Sequence, residues 1–521
     1  MKSNPNPNPN RRDWLAGAAS VAALAAAPLF VRDARAADSE RFALGIASGQ
    51  PRPDGMVLWT RLTGDALPAR VAVRWELAHD EAFTRIAARG EETAIADEAH
   101  SVHAEPLGLD AARVYWYRFE ALGQRSASGR TRTAPAADAA VAQLEFAVAS
   151  CQRFDHGHFA AWRDVVRGEP DLILFVGDYI YEAPALVAKA AGAGVGNPRQ
   201  HEGGLVRTLA DYRARYAQYK RDPALQAAHA AAPWLLVWDD HEVDNDYAGL
   251  QGQNLQADFE AQRAAAYQAY WEHMPFPKSA RPRGAEMRIV GRLDWGRLAR
   301  IHLLDDRQYR DPQACPRPGK GGSNTVRSSE CAALRDPRRT LLGDAQERWL
   351  ADGWDLNRPW NLLAQQTLMA RFAWDDPARD ARYWTDGWDG YPVARSRLLN
   401  TVAEKQVPGV VVLGGDVHTH YVADLKRDFD DAASPIVATE FCGTSIASHS
   451  LAQERIDAAL KFNPHIKHGR GDKRGSLRIS LDAKQLTAQL RVVDDAADPQ
   501  STARTSASFV VDARRPGAVA G

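Results

Sequence analysis

The sequence predicts an α/β fold preceded by a small all-β domain, and three observations support this prediction. Residues 41–133 alternate apolar and polar side chains with a period of two, which is typical of antiparallel strands. From residue 143 onward, short apolar runs are followed by helix-forming segments, and this alternation is typical of α/β domains. The 521 residues are 45% hydrophobic and 25% charged, so the chain can bury a large core in more than one domain. A net charge of -1 excludes a nucleic-acid binder that relies on gross positive charge.

Residues 1–36 have the pattern of a cleavable twin-arginine signal peptide. Arg11 and Arg12 directly precede an apolar run, and small residues follow at Ala34 and Ala36. We therefore expect export by the twin-arginine machinery to the periplasm or the medium. The alternatives are an ordinary secretory signal with a chance arginine pair, and an uncleaved anchor. The run is rich in alanine and no other stretch is longer or more apolar, so we expect no stable membrane span in the mature protein.

Residues 41–134 are predicted to form an N-terminal β-sandwich of the immunoglobulin or fibronectin type. Residues 71–77 and 115–119 alternate apolar and polar side chains, and the turn sequence GQPRPDG at 49–55 separates strand-like runs. The segment 134–142 is predicted to be a linker.

Residues 143–513 are predicted to form a second domain of the α/β class, and several of its strands end in side chains that can bind metals. The predicted strands 144–149, 172–176, 234–238 and 409–413 precede the segments SC, GDYIYE, DDHE and GGDVH, respectively. In open α/β sheets ligands bind at the carboxyl ends of the strands. These segments are therefore expected to meet at one edge.

Each of these residues has a structural explanation when it is taken alone. Cys151 could be a small buried hydrophobic residue, Asp178 a helix cap, Tyr181 a packing aromatic residue and His418 a core histidine. Taken together, the acidic residues at these loops would repel one another unless cations lie among them. The set therefore favours a metal site.

The segments SCQ, GDYIYE, WDDHEVDND, GGDVHTHY and EFCGTSI resemble those of the PhoD-type alkaline phosphatase and phosphodiesterase family, in the metallophosphoesterase superfamily. The resemblance extends to FALGIASGQPRPDGMVLWTRL near the N-terminus and LGDAQERWL in the catalytic region, so it covers nearly the whole mature chain. It implies a metallophosphoesterase-like sandwich of mixed sheets flanked by helices.

The resemblance also implies a ligand set. Fe³⁺ would be held by Cys151, Asp178, Tyr181 and His418. Ca²⁺ would share Asp178 and be held by Asp240 and Asp416, with Asn245 as a further oxygen ligand. The chemistry agrees, because thiolate and phenolate suit a transition metal whereas carboxylate and amide oxygens suit calcium.

A phosphoester hydrolase needs a nucleophile at near-neutral pH, which a metal-activated hydroxide provides. The resemblance implies that His241 stabilises or protonates the leaving group beside Asp240, which we also assign to catalysis. The alternatives for His241 are a structural histidine and a plain metal ligand.

The expected function is that of a secreted alkaline phosphatase that releases phosphate from small phosphomonoesters and also cleaves phosphodiesters, with no nucleic-acid partner required. One alternative is a phosphodiesterase or phospholipase D-like hydrolase that acts on larger esters. Another is a noncatalytic calcium-binding module, which Cys151 and Tyr181 argue against because structural calcium sites use neither thiolate nor phenolate.

Three further expectations concern single residues. Cys315 and Cys331 lie in a loop rich in proline, glycine and serine, and we expect a disulfide there in an oxidising compartment. Cys442 is expected to be buried and inert. Arg307 is expected either to approach the phosphate or to pair with one of the two aspartates before it.

Overall fold

The computed structural model describes residues 40–184 and 197–521, and the predicted signal peptide lies outside these residues. The described residues form strands and helices in the following order. The strands are β1 (Ile46–Arg52), β2 (Gly55–Arg61), β3 (Arg70–Ala78), β4 (Ile86–Ile95), β5 (Ser101–Ala104), β6 (Val114–Ala121), β7 (Gln124–Arg125), β8 (Gly129–Arg132), β9 (Gln143–Ala149), β10 (Leu172–Val176), β11 (Trp234–Val237), β12 (Gly291–Trp295), β13 (Ala299–Leu303), β14 (Thr325–Arg327), β15 (Trp360–Ala364), β16 (Arg382–Trp384), β17 (Val410–Gly414), β18 (His420–Lys426), β19 (Ile436–Cys442), β20 (Ile466–Arg470), β21 (Gly475–Asp482), β22 (Gln485–Val493), β23 (Ala503–Asp512) and β24 (Arg515–Ala520). The helices are α1 (Ala161–Arg167), α2 (Leu209–Lys220), α3 (Pro223–Ala231), α4 (Phe259–His273), α5 (Asp344–Asp352), α6 (Pro392–Glu404) and α7 (Gln453–Leu460).

The N-terminal region is all-β, as predicted. A sheet in the order β4-β3-β6-β7, with β8 paired to β6, buries one face of each alternating strand. Val71 and Tyr117 from this sheet share a core with Met56 and Leu58 of β2. The two layers therefore pack as a sandwich.

The second layer of that sandwich is continuous with the catalytic sheet. Strand β1 pairs in parallel with β11 through Gly49 and Trp234, and the whole sheet runs β24-β23-β22-β21-β9-β10-β11-β1-β2-β5. Pairing between strands so distant in sequence leaves no local pattern. The domain limits 41–134 and 143–513 stay a prediction, and β24 lies beyond the second of them.

The catalytic region contains two mixed sheets, which confirms the predicted fold class. The second sheet runs β12-β13-β15-β17-β19-β18-β20, and its neighbours β13, β15, β17 and β19 are parallel. Val148 of the first sheet and Leu413 of the second belong to one hydrophobic core. Strands β10 and β17 are buried throughout, as expected for parallel strands that are covered on both faces.

Local sequence signals define the helix starts. Thr208 and Asp211 form a capping box at the start of α2, and Asp222 caps α3 with Pro223 in its first turn. Such caps satisfy backbone N–H groups that have no partner within the helix.

The structure contains the expected disulfide and the expected buried cysteine, while the inertness of Cys442 stays a prediction. Cys315 and Cys331 form a disulfide, and Cys442 is a buried free thiol. Among the helices of the described residues, none is both long enough and apolar enough to cross a membrane.

Candidate metal centre

The predicted ligands lie on loops with an unusual backbone. Cys151, Asp178, Asp416 and His418 all have positive φ angles, between 53° and 63°, in the left-handed region that non-glycine residues seldom adopt. Each such residue costs of order 1–3 kcal/mol and persists only where the surrounding structure enforces it. Their concentration after three strands, β9, β10 and β17, points to a functional site.

Gly177 allows the ends of β10 and β11 to approach each other. Its φ is +108°, and a Cβ at this position would lie 2.4 Å from the Cβ of Asp239. Any larger residue would force the two loops apart. Glu242 then fixes the loops, because its carboxylate accepts the backbone N–H groups of Asp178 (3.1 Å), Tyr179 (2.6 Å) and Asp239 (2.9 Å). Burial, with the Asp178 carboxylate nearby, raises the pKa of Glu242 to about 8.

The predicted iron ligands converge. Ligand atoms of Cys151, Asp178 and His418 all lie within 4.8 Å of one another. The Tyr181 hydroxyl donates to Asp178 Oδ2 at 2.7 Å and lies 3.1 Å from His418 Nε2. His418 Nδ1 donates to the carbonyl oxygen of His449, which leaves Nε2 free to face the cluster.

The predicted calcium ligands lie on the other side of Asp178. Asp178, Asp240 and His241 form a second group with ligand atoms within 4.8 Å. Asp416 and Asn245 line the same cavity as these residues. Thr367 Oγ1 donates to Asp416 Oδ2 at 2.7 Å, which orients that carboxylate.

Several carboxylate oxygens of the cluster are buried and lack hydrogen-bond partners. Among the described residues, Asp178 Oδ1, Asp239 Oδ2 and Asp240 Oδ1 have no hydrogen-bond partner. A buried carboxylate oxygen left unpaired is costly. A cation beside it removes that cost, so these oxygens fit a metal site.

The pKa values of the predicted ligands also indicate a metal site. Burial, reinforced by the Asp178 carboxylate, raises the pKa values of the Cys151 thiol and the Tyr181 phenol well above their usual ranges. Burial likewise raises the pKa of Asp416. These groups can become anionic together only if positive charge lies among them, and bound metal cations reverse such shifts. The donor set of thiol, phenol, imidazole and carboxylates therefore fits bound metal cations.

Arg307 supplies fixed positive charge behind the cluster. Its side chain is 1% exposed, pairs with Asp239 and with Asp386 at 2.8 Å, and lies 3.7 Å from Asp240. Burial alone would raise the pKa of Asp240, but Arg307, His241 and the backbone N–H of Asp246 together outweigh burial and lower that pKa. The predicted ion pair of Arg307 with a preceding aspartate is wrong, since the guanidinium reaches across to other loops. Asp305 instead accepts the backbone N–H of Arg307 at 3.0 Å.

His241 is held by a carboxylate that the sequence did not single out for this role. Its Nδ1 lies 2.7 Å from Glu182 Oε2, and Glu182 Oε1 accepts the backbone N–H of Asn245 at 3.1 Å. Burial alone would lower the pKa of His241. The carboxylates of Glu182, Asp240 and Asp178 together outweigh burial and raise that pKa well above its usual range. Because His241 also groups with Asp178 and Asp240, its role as proton donor or metal ligand stays a prediction.

A third acidic group, which the sequence did not predict, consists of Asp240, Asp246 and Asp386. Gln313 and Arg310 contact Asp386, each at 2.8 Å. Asp386 follows no apolar strand in the predicted catalytic series, so no spacing in the sequence connected it with the other ligands.

Comparison with known proteins gives consistent matches along the chain. The family described as PhoD-like phosphatase matches residues 146–490, and its N-terminal domain family matches residues 25–135. Alkaline phosphatase D of Bacillus subtilis (strain 168) is 41% identical over 524 residues, covering 96% of this chain and 87% of that protein. A solved structure described as that of PhoD superposes with a TM-score of 0.87 and 41% identity, covering 93% of this chain and 92% of the other.

Proposed function

The chain belongs to the PhoD-like phosphatase family and is a phosphoric ester hydrolase, and from this premise we propose that it acts with Fe³⁺ and Ca²⁺. The proposal is supported above all by one observation, the convergence of a thiol, a phenol, a carboxylate and an imidazole at one point. The proposed iron ligands are Cys151, Asp178, Tyr181 and His418. The proposed calcium ligands are Asp178, Asp240, Asp416 and Asn245.

The negative charges of these ligands can be compared with the positive charges of the proposed cations. Cys151, Tyr181, Asp178, Asp240 and Asp416 would carry five negative charges as anions, which Fe³⁺ and one Ca²⁺ would just neutralise. A second calcium would leave a positive surplus for the phosphate. When bound, the cations supply Lewis-acid chemistry that lowers the pKa of water and neutralises charge on the phosphoester oxygens.

The residues of the chain position the reacting groups. Glu182 accepts a hydrogen bond from His241 Nδ1, so Nε2 is the ring atom left to face the cavity. The Glu182 carboxylate, which is outside the proposed ligand set, favours a proton on that ring. We assign to His241 the transfer of this proton to the leaving oxygen of the ester.

The proton-donor role can be separated from a ligand role by substitution. His241→Ala should retain iron and calcium and lose about 10²–10⁴-fold in turnover, the usual contribution of a general acid. His79→Ala, which removes a half-buried histidine of the N-terminal sandwich, is the matched control and should change neither. Loss of metal from His241→Ala would instead make His241 a ligand.

Substrate scope and calcium dependence are tested by one experiment. Turnover of a phosphomonoester and of a phosphodiester should be measured side by side on the purified protein, with calcium added or chelated. We expect hydrolysis of both esters and loss of both activities on chelation. Activity on the diester alone would favour the phosphodiesterase alternative, and activity that survives chelation would contradict the role of calcium.

We further propose export by the twin-arginine route, on the evidence of the arginine pair alone. Replacing Arg11 and Arg12 with lysines should retain active enzyme in the cytoplasm of an expressing cell. Unchanged export of that variant would contradict the proposal.

A further inference from the structure

One wall of the metal-binding cavity is aromatic, and the chemistry at the metals does not account for it. The cavity has a volume of about 520 Å³, within the range of roughly 300–1,000 Å³ that is typical of small-molecule sites and larger than a phosphate group requires. It extends from Asp178, Asp240 and Asp416 to a set of ring side chains. These rings are Phe372, Trp374, Trp384, Trp388 and Tyr421.

Three of the rings contact one another. Phe372 contacts Trp374 edge-on with ring centroids 4.9 Å apart, and contacts Tyr421 at 5.4 Å. The guanidinium of Arg455 lies 4.7 Å from the centroid of the Trp374 ring. Strand β16 fixes Trp384 by antiparallel pairing with Thr325.

Trp374 and Trp384 are only half-buried although both line the cavity. Backbone hydrogen bonding connects the two segments, since the N–H of Trp374 donates to the carbonyl of Arg382 at 3.0 Å. Two large rings held by backbone pairing with part of their surface exposed are suited to stacking against a planar ligand.

Polar groups interrupt the aromatic wall. Thr325, Thr419 and Ser450 line the same cavity, and the hydroxyls of Thr419 and Ser450 lie 2.8 Å apart. These two hydroxyls hydrogen-bond each other, and an acyl chain would offer no partner for their remaining hydrogen-bonding capacity. A heteroaromatic ring offers both a face for stacking and edge atoms for hydrogen bonds, so it matches the mixed lining better.

We propose that this wall binds the organic group of the substrate and selects phosphoesters that carry a heteroaromatic ring, with nucleoside phosphates as the chemical class. The inference rests on the proposed function, because it places the phosphate at the metal ligands and the base on the wall.

The test compares two phosphomonoesters on the metal-loaded full-length protein. Adenosine 5′-monophosphate carries a ring and glycerol 3-phosphate does not. The wild-type protein should have the higher kcat/KM for the nucleotide. Trp384→Ala should lower the ratio of the two kcat/KM values about tenfold, through KM, which is the scale of one lost stacking contact.

Three further variants make the result specific. Trp384→Phe keeps a ring and should restore most of the ratio. Trp374→Ala provides the same test should Trp384→Ala fail to fold. Trp349→Ala removes a half-buried tryptophan that does not line this cavity and should leave the ratio unchanged.

The outcomes separate this inference from the proposed function. If neither ester is hydrolysed, the proposed function fails and the inference fails with it. If both are hydrolysed equally well and the ratio does not respond to Trp384→Ala or Trp374→Ala, only the inference is overturned. A preference for a long-chain lysophosphatidate over the nucleotide would also overturn it, because the wall would then bind acyl chains.

Discussion

Replacing Arg307 with methionine should destabilise the protein strongly. The substitution keeps much of the side-chain volume but removes the guanidinium that pairs with Asp239 and Asp386 and lies near Asp240. All four side chains are almost fully buried, so water cannot replace the lost partner. Asp239 would then lose its cationic partner, whereas Asp386 would keep Arg310 and Asp240 lies at the proposed calcium site.

The expected magnitude follows from that burial. Removing one partner of a buried ion pair costs about 3–5 kcal/mol, whereas an exposed pair contributes about 0–1 kcal/mol. Arg307 touches two carboxylates directly, so we expect about 3–5 kcal/mol for Arg307→Met. Arg307→Lys keeps the charge but cannot form the same forked contacts, so its loss should be smaller.

The assay is urea-induced unfolding of the wild-type protein and the two variants, followed by fluorescence. The control is Arg338→Met, whose arginine pairs with Asp336 on the surface and should leave the free energy of unfolding almost unchanged. A loss below about 1 kcal/mol for Arg307→Met would refute the reasoning, because the buried carboxylates would then be balanced by other means.

Three other predictions concern residues near and far from the metals. Glu182→Gln should retain metal but slow esters with poor leaving groups more than esters with good ones, because His241 loses the negative charge that favours its protonated form; an equal effect on both classes of ester would count against a proton-donor role. Removing the disulfide with Cys315→Ser and Cys331→Ser should cost about 3 kcal/mol in the loop-closure description, read as a lower urea midpoint, and an unchanged midpoint would contradict that description. Burial lowers the pKa of His103 to about 3, so the unfolded chain, with an ordinary pKa near 6.5, takes up a proton that the folded protein does not. Stability is therefore lost as pH falls below about 6.5, and His103→Gln should remove up to about 1.4 kcal/mol per pH unit of that decline; an identical pH dependence in the variant would refute the linkage.

The sequence predicted the parts of the fold that have local signals. The run at 172–176 was predicted as a strand and is one, because apolar β-branched and aromatic residues bounded by glycine leave few alternatives. The pairing of β1 with β11 was not predicted, because the register between strands nearly two hundred residues apart depends on the tertiary fold.

In the candidate site, too, the features with a local sequence signal were predicted and those that depend on the tertiary fold were not. Cys151 and His418 were expected to meet because both follow predicted strands, and the structure brings them together. The pairing of Arg307 with Asp386 was missed, since Asp386 lies in a loop with no strand before it in the predicted series. The left-handed backbone at Asp178 and Asp416 was also not predicted, because aspartate adopts this conformation more readily than most residues but residue type alone does not show which aspartates do so.

The most direct test is to measure the iron content, the colour and the activity of the purified protein. Purified protein should be coloured and contain about one iron per chain, and removing the iron should abolish both the colour and hydrolysis until Fe³⁺ and Ca²⁺ are returned. Cys151→Ser should bind iron more weakly and lose the thiolate contribution to the colour. A colourless protein that remains fully active without iron, or full activity with zinc or magnesium alone, would contradict the account.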